Sequence, residues 1–404
     1  VGDRFLARLS PVGENLYEAA VLRRIEIPAG RVIGLVRVSD RGGILTPANK
    51  KERGDFDIAP GDLNGAKTGD YAVGQMIPTR GLHRKKVRIV SVIGRKTDIG
   101  AISLLSLYEA GLKPDFPPEV LAAAEGLEVP ALGAREDLRG IPLVTIDGAD
   151  ARDFDDAVFA EESPGGGFHL IVAIADVSWY VRPGSALDAE AFRRGNSTYF
   201  PDRVVPMLPE ALSNGLCSLV PKEDRACLAA HLWIDGEGAL VRHKIVRALI
   251  RSAARLTYDQ AQAARDGAPD AVTAPLMKGV IAPLYAAYEV LWQARRRRGA
   301  LDLDLPERKI EIDESGKMVG VKPRARLDSH KLIEEFMILA NVAAAQTLEG
   351  KKAPCAWRIH DAPAADRISS AAEFLDTFGL SLPKGQRVTP GQLNLILEKA
   401  RTHP

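Results

Sequence analysis

The chain has 404 residues, enough for roughly two or three domains, and its 46% hydrophobic and 26% charged residues are ordinary globular usage. A net charge of +1 identifies no partner, so any nucleic-acid surface would have to be local. No run of about 18 apolar residues is present, so no membrane span is expected. Cys217, Cys227 and Cys355 show neither metal-ligand spacing nor a disulfide pattern, which fits a reducing cytoplasm.

The opening "VGDRFLARLS" lacks the layout of a signal peptide and reads as a strand cut from something longer. Residues 1 to 97 hold short alternating runs, "RVIGLVRVS" (31–39), "YAVGQMIP" (71–78) and "KVRIVSVIG" (86–94), punctuated by turn residues as in "DRGG" and "APGDLNG". Several short strands at this spacing predict a small β-barrel over 28–97. Residues 98–135, with "LLSLYEAGL" and "PEVLAAAEGL", read as short helices in a connector. Beyond 136 the pattern is mixed. "IPLVTI" (141–146) is a short apolar run, and "FHLIVAIADVSWYV" (168–181) reads as one long buried strand. Helices are predicted from Pro275 to Arg298 and from Ser329 to Glu349, the second with an apolar stripe of Leu332, Ile333, Phe336, Met337 and Ala340. The last segment reads as a loop and a helix.

The stretch "TIDGADARDFDDAV" (145–158) crowds Asp147, Asp150, Asp153, Asp155 and Asp156 around a single Arg152. Like charges a few ångströms apart repel, and burying them unpaired is costly. A solvated Asp-rich turn is the plain alternative. Against it, an apolar run precedes the cluster, Ala157, Val158 and Phe159 follow it, and Phe154 anchors it. An EF-hand loop is excluded, because the sixth residue from Asp153 is Val158 where glycine is required. What remains is a hard divalent cation, Mg²⁺ or Mn²⁺, bound by carboxylates for phosphoryl hydrolysis. The residues alone do not say which phosphate, and a small-molecule metallophosphatase stays open at this point.

The segment "DLRGIPLVTIDGADARDFDDAV" resembles the signature of the RNB family of exoribonucleases. The likeness continues in order through "VAIADVSWYVRPGSALDAEAFRRGNSTYFPDRVVPMLPEALSNGLCSL", "ARLTYDQA", "HKLIEEFMILAN" and "RIHDAP", from about residue 130 to about residue 385. The resemblance implies an α+β catalytic RNB domain, a mixed sheet with helices and a metal-carboxylate site, preceded by an OB-fold barrel of cold-shock type. The expected domains are 1–27 as the tail of a preceding OB or cold-shock domain, 28–97 as a second one, 98–135 as the connector and 136–404 as the RNB domain. The implied activity is processive, Mg²⁺-dependent 3′→5′ hydrolysis of RNA to nucleoside 5′-monophosphates. The implied partner is single-stranded RNA or RNA with a 3′ overhang, in cytoplasmic RNA turnover.

Carried over position by position, the family's catalytic and metal-binding carboxylates fall on Asp147, Asp153, Asp155 and Asp156; Asp150 falls where the family varies. By the same resemblance Tyr199 stacks on the 3′-terminal base, Tyr258 packs against bases, and a glutamate of "HKLIEEFM" contacts the terminal nucleotides. Glu334 is preferred over Glu335 because Asn341 lies two turns on along its helix face. Family members continue past Pro404 with a Ser-Pro-Ile-Arg-Arg stretch and a further OB-type domain, so the chain is expected to be part of a longer protein. Leu303 stands near where relatives carry a stacking Phe. The runner-up is a catalytically inactive RNB-fold RNA-binding protein, against which the intact aspartates argue.

Two basic segments remain. Arg84, Lys85, Lys86 and Arg88 lie around one strand, either a solvated face or a phosphate track. "QARRRRGAL" (293–301) sits at a helix C-terminus, where cations oppose the helix dipole. His360 reads as a structural histidine.

Overall fold

A computed structural model describes residues 4–13, 16–25, 30–49, 54–77, 85–95, 99–303, 305, 307–313, 317–357, 359, 361–382 and 388–401. The chain divides into two compact units. The first comprises residues 1–116, 196–205 and 309–322, the second 117–195, 206–308 and 323–404.

In the first unit, β1 (Arg4–Gly13) and β2 (Leu16–Ile25) form an antiparallel hairpin. A closed barrel follows, made of β3 (Arg31–Ser39), β4 (Gly42–Pro47), β5 (Phe56–Ile58), β6 (Asp70–Ile77) and β7 (Lys86–Arg95) in the order β3-β4-β5-β7-β6. Alternation dictates its filling: Val32, Val36, Leu45, Ile58, Ala72, Val87 and Ile89 point inward and are buried. At Gly34 the strands approach so closely that a Cβ would stand 2.1 Å from the Thr46 carbonyl oxygen, so only glycine permits this closure. The sequence-predicted strands agree with β3, β6 and β7. The helix α1 (Ile99–Glu109) completes this part.

In the second unit, α2 (Pro118–Ala124) precedes a seven-stranded sheet. Its members are β8 (Glu136–Asp137), β9 (Val144–Asp147), β10 (Asp156–Glu162), β11 (Phe168–Ala175) and, after helices α3 (Val177–Tyr180) and α4 (Ala186–Arg194) and the hairpin β12 (Thr198–Tyr199) and β13 (Val204–Val205) that belongs to the first unit, β14 (Asp224–Ile234), β15 (Leu240–Arg251) and β16 (Ala254–Thr257). The order is β16-β9-β10-β11-β14-β15-β8. The two edge pairs, β16 with β9 and β15 with β8, are parallel and the rest antiparallel. Helices α5 (Tyr258–Arg265), α6 (Ala282–Arg297) and α7 (Asp328–Gly350) cover one face, burying Val144, Ile146, Val158, Ala160, Leu170, Val172 and Leu232 against Leu284, Tyr288, Leu332 and Phe336. The hairpin β17 (Glu307–Ile312) and β18 (Met318–Arg324), most of which belongs to the first unit, precedes α7 in the chain; α8 (Ala365–Asp376) and α9 (Pro390–Arg401) follow it.

Two expectations are corrected. The long strand over 168–181 ends at Ala175, and the chain turns into α3. Asp176 makes the turn: its carboxylate, 1% exposed, accepts from Arg135 Nη2 and Ser178 Oγ, both at 2.8 Å. The helix predicted from Pro275 begins instead as a 3₁₀ turn (Ala274–Leu276) and a wide π turn (Met277–Ile281) before α6. Pro283 has no N–H to give the carbonyl four residues back, and it sits at the second position of α6, in the first turn where that bond is not required. Arg84 and His360 lie outside the described residues.

The Arg135–Asp176 pair ties the residue before β8 to the β11–α3 turn, with Arg135 also 4.9 Å from the Trp179 ring centre. Burial pushes the Asp176 carboxyl up, but the bonds from Arg135 and Ser178 and the nearby Arg247 outweigh it, and its pKa lies below the ordinary value. Arg135→Met would leave the buried Asp176 carboxylate to Ser178 and the more distant Arg247, and should cost up to about 3 kcal/mol at neutral pH. The loss should shrink on acidification, since an unpaired buried carboxyl takes up a proton readily and the folded variant then carries no naked charge. Urea unfolding at pH 7 and pH 5 checks both the size and the sign.

Candidate active site

Asp147 is the last residue of β9 and Asp156 the first of β10, so the aspartate stretch is the turn joining two neighbouring strands. Val144 and Ile146 enter the core, and Asp147 ends the strand close enough to Asp156 for its charge to act on that carboxyl. Asp156 shares parity with Val158 and Ala160, which pack in the helix-covered core. Its Oδ2 is accordingly buried, with no hydrogen-bond partner.

The turn is pinned from both sides. Ser218, fully buried, accepts from the Phe154 N–H at 3.0 Å and donates to the Arg152 carbonyl at 2.8 Å. The Leu219 N–H donates to the Phe154 carbonyl at 2.8 Å and the Ala175 N–H to the Asp155 carbonyl at 2.9 Å. Across the turn, Arg255 Nη2 donates to the Gly148 and Ala149 carbonyls at 2.7 and 2.9 Å. The Gly148 N–H donates to Asp147 Oδ1 at 2.6 Å. These bonds fix the backbone of the turn and so limit how far its carboxylates can move apart.

The electrostatic result is a set of reluctant acids. Burial first, then the charges of Asp147 and Asp155, pushes Asp156 up to about 7. Asp155 keeps one side open to solvent, yet the packed wall around its carboxyl, then Asp153 and Asp147, raise it to about 6. Asp147 is raised by burial and by Asp153, against the pull of the Gly148 N–H, Arg255 and Arg324. These are carboxylates for which the protein supplies too little positive charge. Among the described residues no three His, Cys, Asp or Glu side chains are already gathered as a ligand set. An oxygen-only group with an orphaned buried oxygen and mutually raised pKa values fits a hard divalent cation.

Tyr258 opens α5, whose N-terminus is closed by a Thr257–Gln260 capping box. Its phenol is pushed up to about 12 by burial and then by Asp147 and Asp156, which places it beside the carboxylates. Its ring stacks on His330, centroids 3.9 Å apart at 16°. Glu334 accepts from Arg326 at 2.6 Å and keeps 42% of its side chain exposed, whereas Glu335 is 4% exposed and held by Arg295 at 2.8 Å. Tyr199, on β12, is 64% exposed and belongs to the first unit.

The basic segments separate. Arg88 is bound to Asp62 at 2.6 Å and Lys85 lies 5.8 Å from the Phe56 ring centre, while Lys86 is exposed at the start of β7. In the arginine run, Arg295 serves Glu335 and Arg297 pairs with Glu237. Cys217 and Cys227 are buried thiols pushed up to about 12 by desolvation. Ser218, Arg255 and His330 are site residues that sequence reasoning missed. They reach the turn or Tyr258 across 64 or more positions of chain. The nearest local signal was Arg255, three residues before Tyr258 in "ARLTYD".

The RNB domain profile matches residues 135–404, and a cold shock domain profile matches 44–117. Ribonuclease R of Escherichia coli (strain K12) is 39% identical over 415 residues, covering 100% of this chain and 50% of the relative. That of Thermotoga maritima is 35% identical over 411 residues, covering 100% and 58%. The chain thus spans about half the length of these curated relatives. Among solved structures, the apo form of Mycoplasma genitalium RNase R superposes with a TM-score of 0.82 at 24% identity, over 100% of this chain and 64% of that one. The same protein in complex with double-stranded RNA gives 0.84 at 25%, over 95% and 69%. Yeast Ssd1, a pseudonuclease, gives 0.65 at 16%, over 97% and 50%. The matches run through the barrel, the sheet, the aspartate turn and the helices behind it, and the chain belongs to the RNB family.

Proposed function

We propose that this chain is the barrel and catalytic portion of a magnesium-dependent 3′→5′ exoribonuclease that hydrolyses RNA processively to nucleoside 5′-monophosphates in cytoplasmic RNA turnover. The observation that carries the reading is the pinned turn of Asp147, Asp153, Asp155 and Asp156, with its unpartnered Asp156 oxygen, in a member of the RNB family. These four aspartates would hold Mg²⁺, with Mn²⁺ suiting the same oxygen donors. When bound, the cation supplies the positive charge that offsets the carboxylates and stabilises the charge developing on the scissile phosphate. The protein's own part is positional. Ser218, Leu219 and Ala175 hold the turn's backbone, so the carboxylates need not reorganise when charge develops. Tyr258, braced by His330, packs against a base, Tyr199 stacks on the 3′-terminal base, and Glu334 contacts the last nucleotides. Lys86 and Lys85 provide phosphate contacts on the barrel, and Arg84, next to them in sequence, joins them in this role; Arg88 contributes less because Asp62 already holds it. The partner is single-stranded RNA or RNA with a 3′ overhang. The family likeness supports this, as does Mycoplasma genitalium RNase R, which has been solved with ribose-methylated single-stranded RNA. No helix among the described residues is long and apolar enough to cross a membrane.

Asp155→Asn keeps the side chain's shape and removes its charge. Hydrolysis by the full-length protein should slow by about 4 kcal/mol of barrier, which is about a thousandfold. RNA affinity measured in EDTA should stay within a few-fold. Near-normal hydrolysis by the variant would remove Asp155 from the metal set. A parent protein that binds RNA and hydrolyses none in Mg²⁺ would instead be the inactive RNA-binding member of the family.

Base stacking on an aromatic ring is worth about 1–3 kcal/mol. Tyr199→Ala should therefore release a longer final oligonucleotide, while long RNA is still degraded. Resolving the end products on a sequencing gel decides it, and an end product of unchanged length would remove Tyr199 from the 3′-end contacts.

A further inference from the structure

Arg255 lies on β16, paired in parallel register with Thr145 of β9. Its neighbours Ala254 and Leu256 go to the helix-covered core, so Arg255 emerges on the face that also carries Thr145. From there it reaches past the end of β9. One terminal nitrogen, Nη2, donates to two successive carbonyls, Gly148 at 2.7 Å and Ala149 at 2.9 Å. These are the first two residues after Asp147, and the Gly148 N–H is the group bonded to Asp147 Oδ1. The guanidinium also lies 5.4 Å from the centre of the Phe154 ring, at the far end of the same turn. Its Nε is buried and has no hydrogen-bond partner. A buried donor left unpaired is costly. That cost is carried here by a side chain whose Nη2 bonds both carbonyls at the start of the turn and whose guanidinium faces Phe154 at its end.

We propose that Arg255 is a positioning residue for the carboxylate set, holding the 148–154 turn so that Asp147 and its neighbours meet a divalent cation in one arrangement. This inference rests on the metal-dependent reading above. The planar fork is what the place requires. It bridges two carbonyls on one side and lies against an aromatic ring on the other, which the compact ammonium of lysine does less well. The charge matters too: a guanidinium beside two backbone carbonyls and near Asp147 partly offsets repulsion in the turn.

The test compares the full-length parent, Arg255→Met, Arg255→Lys and Asp155→Asn. Mn²⁺ binding is read without turnover, from the loss of the free aqueous Mn²⁺ signal in electron paramagnetic resonance, and hydrolysis is measured separately over a range of RNA concentrations. Arg255→Met should bind Mn²⁺ at least tenfold more weakly and lose kcat, with KM and RNA affinity in EDTA within about twofold of the parent. Arg255→Lys should recover part of both losses, and because it keeps the charge it also serves if the methionine variant folds poorly. Mn²⁺ affinity and kcat within twofold of the parent in both variants would overturn the proposal. So would a fall in RNA affinity with Mn²⁺ binding intact, since Arg255 would then be an RNA contact. A parent that neither binds Mn²⁺ nor differs from Asp155→Asn would instead overturn the metal-dependent reading.

Discussion

Repulsion among the carboxylates of one strand-to-strand turn is the constraint around which the second unit is arranged. Asp147, Asp155 and Asp156 each have a raised pKa, and in each case burial is the leading cause, with neighbouring aspartates adding to it. Left to itself, such a turn would open and let water solvate the charges. It is prevented by bonds made to its backbone. Ser218 serves two groups of the turn, and Leu219 and Ala175 serve two more. The fold therefore keeps an arrangement that is unfavourable for the bare carboxylates, which the proposed cation would offset.

The sheet makes this tethering feasible. β9 and β10 are neighbours in an interior position, β11 lies beside β10, and β16 flanks β9. Three elements distant in sequence thus converge on one turn: the segment before β14 through Ser218, the end of β11 through Ala175, and β16 through Arg255. Helices α5, α6 and α7 then seal the face on which the Asp156 oxygen is buried. The same packing brings Tyr258 and His330 beside the carboxylates, so the aromatic element and the acidic element share one support.

Much of this was legible in the sequence because it is local. Alternation in 31–39, 71–78 and 86–94 marks barrel strands, since one face of each fills the barrel, although β6 also buries Val73 on its other side. The aspartate stretch stood out by composition, and the motif order carried the family. What stayed hidden depends on contacts between distant segments. Nothing near Asp176 signals that Arg135 will meet it and end the strand at Ala175. Ser218 sits in an unremarkable apolar run, and its role exists only because Phe154 and Arg152 are folded onto it. The choice between Glu334 and Glu335 rested on helix-face arithmetic. Burial adds a physical reason for it, since Glu335 is committed to Arg295.

If the turn is crowded for the sake of a cation, removing one of its carboxylates should act oppositely with and without metal. The direct measurement is the unfolding stability of Asp156→Asn against the parent, in EDTA and in saturating Mg²⁺. The account predicts that the variant is at least as stable as the parent in EDTA, where a buried repulsive charge has been removed. It predicts that the variant is less stable than the parent in Mg²⁺, because only the parent gains stability by binding the ion. Equal destabilisation of Asp156→Asn in both conditions, with no Mg²⁺-dependent gain in the parent, would contradict it and mark the cluster as a structural feature of the turn.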